Sequence, residues 1–252
     1  YKKLNYLIIK KINKLTLELF KKYLLKNYKP DLIHAHDLRF GAFAAYEIYK
    51  KFQIPYIITE HNSDVMEGLY PSSLKELTKR VIKNSRNFNT VSGLNAKCLK
   101  NYFKCKKVDI LNNIIPEIFQ KNYKMLKNKS YTFLSVTRYV ENKNVFSLIE
   151  AFAKKFRFLD AKLIIIGQGN LYKKIKKKVS SLKLENKILL LKYKTRKQLV
   201  KYYQSADCFI LPSIKETFGL SLFEALMFKL NVITSNHSGY LELKKRNVNL
   251  PS

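Results

Sequence analysis

The chain has 252 residues, 46% hydrophobic and 27% charged, which suits one large folded domain or two ordinary ones and excludes a disordered chain. No uncharged apolar run nears the roughly 18 residues a membrane span needs, so no transmembrane helix is expected. The charge is unbalanced, with 49 Lys+Arg against 18 Asp+Glu for a net +31, and glycine is scarce at 7 residues. Average usage would supply about 18 glycines, so the few kept are expected where the backbone demands them. The bias toward Lys, Asn, Ile and Tyr, with Trp absent, resembles translation of an AT-rich genome, which raises charge everywhere. Acidic partners stay open beside that background: phosphorylated substrates, anionic lipid or nucleic acid. Cys98, Cys105 and Cys208 include no CxxC pair, which points to a reducing compartment with neither a disulfide framework nor a zinc site.

The chain opens on a helical pattern: Leu4, Leu7, Ile8, Ile12, Leu15, Leu19, Tyr23 and Leu24 recur at spacings of three and four up to a stop before Pro30. Asp31 to His36 is a short strand, 41–52 a helix, and 55–59 a strand running into Glu60, His61 and Asn62. Residues 73–86 are helical, 87–91 a strand, 95–103 a helix and 107–111 a strand. The polar, lysine-rich stretch 116–130 lacks a period and is the linker candidate. The alternation then restarts. Strands are expected at 131–136, 161–166, 187–191, 208–211 and 231–234, with helices at 145–156, 171–182, 196–204 and 218–228. Apolar strands alternating with helices imply parallel sheets covered on both faces. Two such blocks give two doubly wound domains, 1–120 and 121–252, with ligands expected at the carboxyl ends of strands. The start at Tyr1 rather than Met, and an end at 247–252 without a closing helix, read as those of a fragment.

The segment Ser213-Ile-Lys-Glu216-Thr-Phe218-Gly219-Leu220-Ser-Leu-Phe-Glu224-Ala225 carries the most chemistry. Its two glutamates are separated by seven residues, one in the loop after a strand and one in the following helix. Backbone N–H groups at Phe218, Gly219 and Leu220 open that helix, where a phosphate is favoured. Each carboxylate can accept two hydrogen bonds from sugar-like hydroxyls. Alone, such a pair is more often solvated surface. Gly167 and Gly169 end a strand in a tight turn. A dinucleotide-binding reading needs a third glycine and an acidic strand end, but Tyr172 and Lys192 stand there.

In this order the segments resemble the glycosyltransferase family 4 group. Ser135-Val-Thr-Arg138 with Lys143-Asn144, Gly167-Gln-Gly169-Asn, Asp207 to Ser213, the paired glutamates and Ser238-Gly239-Tyr-Leu-Glu242 are similar to the family's donor domain. Asp31 to His36, Thr59-Glu-His61 and the stretch 107–115 resemble its acceptor domain. The resemblance implies an α/β, GT-B type fold of two Rossmann-like doubly wound domains facing a cleft, the N-terminal one incomplete. It implies transfer of a sugar from a nucleotide-sugar donor to a glycan or lipid-linked acceptor, with retention at the anomeric carbon. It needs no cofactor or metal, and no Asp-x-Asp of the metal-dependent GT-A type is present. Arg138 and Lys143 are implied at the leaving diphosphate, Glu224 at the ribose, Glu216 at the sugar hydroxyls and His61 beside the transferred sugar. His34 and His36 read as packed or solvated strand-end residues, and His237 as a tuner of its loop. The implied location is cytoplasmic, with peripheral contact at an anionic inner membrane face through the basic helices 1–29 and 171–184. Departures are Thr137, Asn144 and Asn113 in place of glycines and Asn170 in place of a proline. The alternatives are another GT-B enzyme such as a nucleotide-sugar epimerase, a nucleic-acid binder exploiting +31, and a truncated chain that only binds nucleotide; no nucleic-acid module is recognisable.

Overall fold

A computed structural model describes residues 2–245. The expected helix-free end at 247–252 lies outside the described residues, as does Tyr1. Helix α1 (Lys2–Leu19) passes into a wide turn at Phe20–Leu24, so the first helix ends short of Pro30. β1 (Ile33–His36) leads through a second wide turn, Asp37–Gly41, into α2 (Ala42–Phe52). β2 (Tyr56–Glu60), α3 (Lys75–Asn84), β3 (Asn87–Thr90), α4 (Gly93–Phe103) and a two-residue β4 (Asp109–Ile110) follow. These four strands form one parallel sheet in the order β1-β2-β3-β4. In β2 the consecutive residues Ile58, Thr59 and Glu60 are all buried, and since alternate side chains face opposite ways, both faces of the sheet are covered. Phe43, Tyr56, Ile58, Leu74, Leu99 and Phe103 anchor the core of this unit.

The chain divides into two compact units between Asn112 and Asn113. Composition suggests a boundary at 120/121; residues 113–120 instead go with the second unit. The reason is α5 (Glu117–Gln120), whose Phe119 is fully buried and packs edge-on against Tyr203 and Phe228. The rest of the polar stretch is fastened too: Leu126 N–H donates to the Gln204 carbonyl, and the Gln204 side chain to the Lys124 carbonyl.

The second unit contains β5 (Tyr131–Val136), α6 (Val145–Phe156), β6 (Ala161–Ile166), α7 (Tyr172–Ser181), β7 (Ile188–Leu191), α8 (Arg196–Ser205), β8 (Cys208–Leu211), α9 (Leu220–Met227), β9 (Asn231–Thr234) and α10 (Ser238–Lys245). Val145, Leu148, Ile149 and Phe152 form the buried stripe of α6, at the spacings that keep one helix face inward. A capping box starts α8: Thr195 Oγ1 accepts from Gln198 N–H, and Gln198 Oε1 accepts from Thr195 N–H. The parallel order is β7-β6-β5-β8-β9. It runs outward from β5 in one direction, then restarts from β5 in the other, so the β5/β8 junction is a topological switch point. Ser238 and Gly239 stand in the first turn of α10.

Candidate active site

At the switch point, the loops after β5 and β8 meet. Ile214 N–H donates to the Asn142 carbonyl at 2.9 Å and ties the two loops together. Lys143 ends a short turn after β5, and Glu216 lies in the loop after β8. Their side chains pair at 2.7 Å and are only 8% and 14% exposed. Ser213 Oγ donates to the same Glu216 Oε1 at 2.9 Å, and Lys143 Nζ reaches the Lys215 carbonyl at 3.4 Å. The lysine is thus held by groups some seventy residues away, which a purely solvated lysine is not. Arg138 is exposed on the loop after β5, with no ion-pair partner among the described residues. Asn144, in place of a glycine, adopts the left-handed conformation with φ 52°, which asparagine tolerates better than other side chains.

The glycines have backbone reasons. A Cβ on Gly167 would lie 1.8 Å from the Thr137 carbonyl oxygen, and one on Gly169 2.3 Å from that of Tyr139. These turns are shaped by contact with the loop after β5. Gly219 has φ +83° and immediately precedes α9; Gly239 leaves no room between its Cα and the Phe218 carbonyl, 2.3 Å from a Cβ. Phe218 is buried and stacks on Phe223 at 4.4 Å, so its side chain faces the protein and its backbone is what the turn presents. The N–H groups of Leu220 and Ser221, which open α9, have no intrahelical partner, while that of Leu222 donates to the Gly219 carbonyl at 2.9 Å. Glu224 is 8% exposed, and its Oε2 accepts from the Tyr203 hydroxyl at 2.8 Å. Burial raises the Glu224 pKa, opposed by the tyrosine hydrogen bond and by Arg196.

His237 is more than a loop neighbour. It is 2% exposed; its Nδ1 accepts from Gly239 N–H at 3.1 Å and its Nε2 meets Thr234 Oγ1 at 2.8 Å. The first bond places the ring proton on Nε2. Burial, with Lys143 adding to it and Glu216 opposing, holds this histidine below its ordinary pKa and therefore neutral at pH 7.

In the first unit, β1 and β2 pair with His36 opposite Thr59, which brings their carboxyl ends together. His36 Nδ1 lies 2.9 Å from His61 Nε2, with the rings stacked, so one ring donates to the other. The sequence reading set His36 aside; strand register is what joins it to His61. His34 Nε2 meets Thr59 Oγ1 at 2.8 Å. Burial first, then neighbouring histidines, lowers the pKa of His34 and of His61. Among the described residues no group of three or more His, Cys, Asp or Glu has a metal-holding arrangement. No helix among them is long and apolar enough to cross a membrane.

Glu60, given no role by the sequence reading, is 4% exposed at the end of β2. Its Oε2 accepts from Leu38 N–H at 2.8 Å and its Oε1 from Asn62 N–H at 2.5 Å, so one carboxyl fastens the loops behind His36 and around His61. Burial pushes its pKa up to about 7, against the two backbone bonds and with Asp37 and Asp64 adding to the rise. Folded protein therefore keeps a proton between about pH 4.5 and 7 that the unfolded chain has released. The stability this contributes is full below pH 4.5 and declines as pH rises through 7. Unfolding free energy should accordingly drop by about 3 kcal/mol more in the parent than in Glu60→Gln between pH 4.5 and 8. Denaturant titrations at both pH values measure this, and parallel pH profiles would remove the assignment.

The family profile described as glycosyl transferases group 1 matches residues 117–249, just over half of the chain, and that of glycosyltransferase family 4 matches residues 9–117. The chain belongs to the group 1 glycosyl transferases. An uncharacterized glycosyltransferase of Methanocaldococcus jannaschii is 27% identical over 247 residues, covering 90% of this chain and 60% of its own. The alpha-monoglucosyldiacylglycerol synthase of Streptococcus pneumoniae is 26% identical over 228 residues, covering 80% of this chain and 51% of its own. This group 1 glycosyl transferase chain thus spans between half and two thirds of the length of these relatives. The structure of Anabaena HepE with UDP-glucose superposes with a TM-score of 0.73 at 16% identity, covering 92% of this chain and 65% of that one. Such likeness shows the fold, which is the GT-B type with Rossmann-like parallel sheets.

Proposed function

We propose that the protein transfers a glycosyl group from a nucleotide-sugar donor to a lipid or glycan acceptor, with retention at the anomeric carbon. The buried Lys143–Glu216 pair at the switch point carries this reading, because it assembles a cation and a carboxylate where α/β sheets bind ligands. Glu216 accepts hydrogen bonds from the sugar hydroxyls, and Glu224 from the ribose. Arg138, Lys143 and the N–H groups opening α9 take the diphosphate and offset the charge it gains on leaving. From the first unit we assign His61 to the transferred sugar, neutral at pH 7 and oriented by His36. The acceptor hydroxyl attacks on the face from which the diphosphate departs. The C–O bond to phosphate breaks as the new glycosidic bond forms, and the acceptor proton passes to the leaving phosphate oxygen.

The glucosylated diacylglycerol in the name of the pneumococcal relative and the UDP-glucose in the Anabaena complex support donor and acceptor classes of this kind. A lipid-linked acceptor also gives the lysines of α7, with Lys173, Lys174, Lys176 and Lys177 exposed, a role against anionic membrane. Arg138→Ala tests the assignment cleanly because the residue is exposed and the fold does not depend on it. With UDP-, GDP- and ADP-sugars as donors, turnover should fall about a hundredfold for the donor that the parent uses. Unchanged turnover would rule Arg138 out of the reaction.

A further inference from the structure

Glu224 is held from behind. Tyr203, on α8, has no exposed surface, and its ring is enclosed by Phe119, Phe209 and Phe228 at centroid distances of 5.7, 5.9 and 5.3 Å. The three rings come from α5, β8 and the end of α9, so the phenol is fixed from three directions. Its hydroxyl donates to Glu224 Oε2 at 2.8 Å, while the Ser221 carbonyl at 3.5 Å is a far weaker second acceptor. Burial keeps this phenol protonated, so it stays a donor. A glutamate side chain ordinarily turns about three bonds; here one oxygen is anchored, which settles where the other points.

We propose that Tyr203 is a positioning residue for ribose recognition, holding the Glu224 carboxylate so that Oε1 is presented to the vicinal hydroxyls of the donor's ribose. The inference rests on the reading of Glu224 as the ribose ligand. Removing the hydroxyl frees the carboxylate to rotate and leaves Oε2 buried without its donor. The loss then falls on contacts with the ribose hydroxyls, not on those with the base or the phosphates. A tyrosine that merely filled the core would lower stability without changing which nucleotide is preferred.

The test is calorimetric titration of the parent, Tyr203→Phe, Glu224→Gln and the double variant with UDP, ADP and GDP and with their 2′,3′-dideoxy forms. Thermal melts run alongside establish that each variant is folded. For the base that binds, the parent should prefer the ribose form. Tyr203→Phe should cut that preference about tenfold while dideoxy affinity stays within about twofold. In the Glu224→Gln background the tyrosine change should have a smaller effect, because the amide still accepts from the hydroxyl but no longer offers the ribose a charged acceptor. If Tyr203→Phe keeps the parental preference while Glu224→Gln loses it, Tyr203 is packing alone and the proposal is overturned. If Glu224→Gln keeps the preference, the ribose assignment of Glu224 falls and takes the proposal with it.

Discussion

Replacing Glu216 by alanine should destabilise the second unit by about 3 kcal/mol and abolish donor turnover. The stability loss arises because Lys143 stays behind, with its side chain 8% exposed and no carboxylate at 2.7 Å. Ser213 Oγ loses its acceptor in the same step. Lys143→Ala should cost a similar amount, now leaving a buried carboxylate without its cation. The double replacement Lys143→Met with Glu216→Leu separates the two consequences. It removes both charges and fills the space, so most of the stability should return while turnover stays lost. Denaturant unfolding of all three variants, with donor hydrolysis measured on the same samples, reads both effects. A Glu216→Ala protein as stable as the parent would show that the pair does not hold the two loops together.

Gly167→Ala should be strongly destabilising. The added carbon would sit 1.8 Å from the Thr137 carbonyl oxygen and 2.9 Å from its carbon. Both are backbone atoms, so no side chain can rotate away. Nor can either strand end shift easily: Thr137 N–H donates to the Ile166 carbonyl, and Gly167 N–H to that of Leu191, both at 3.0 Å. A loss above about 4 kcal/mol is expected, enough to deplete soluble protein. Gly68→Ala is the contrast. Its φ of +73° strains any side chain, but nothing lies within 4 Å of the new carbon, so a cost of about 1 kcal/mol is expected. Soluble yield and melting temperature of the two variants give the comparison. Similar melting of the two would mean that the loops after β5 and β6 do not pack as described.

The legible part of the fold was its buried alternation. Expected bounds for β5, β6, β8, β9 and α6 match the structure residue for residue, because each is an apolar run or stripe cut off by polar residues or glycine. The end of α1 was less legible, since the wide turn at Phe20–Leu24 keeps a nearly helical pattern of side chains, whereas α2 begins only one residue later than expected. Helix α10 was hidden by Ser238-Gly239, which reads as a turn until the close approach of Gly239 to Phe218 is known. At the site, the motif named Lys143, Glu216 and Glu224 but not their partners. Lys143 meets Glu216 only because β5 and β8 are neighbours, and Tyr203 in a string reads as one more core aromatic beside Leu199 and Val200. Glu60 lay inside the Thr59-Glu-His61 segment but its role was not legible: one carboxylate after an apolar strand does not say that two loops will donate to it.

The packing of Phe119 also changes the length of the joint. By composition the two units would be joined by residues 116–130, a tether of about fifteen. With α5 seated on Tyr203 and Phe228, the unstructured stretch from the division at Asn112 to the helix at Glu117 is residues 113–116, ending in Pro116. Three aromatic rings in the core of the second unit thereby decide how little of this polar stretch is left free of either unit.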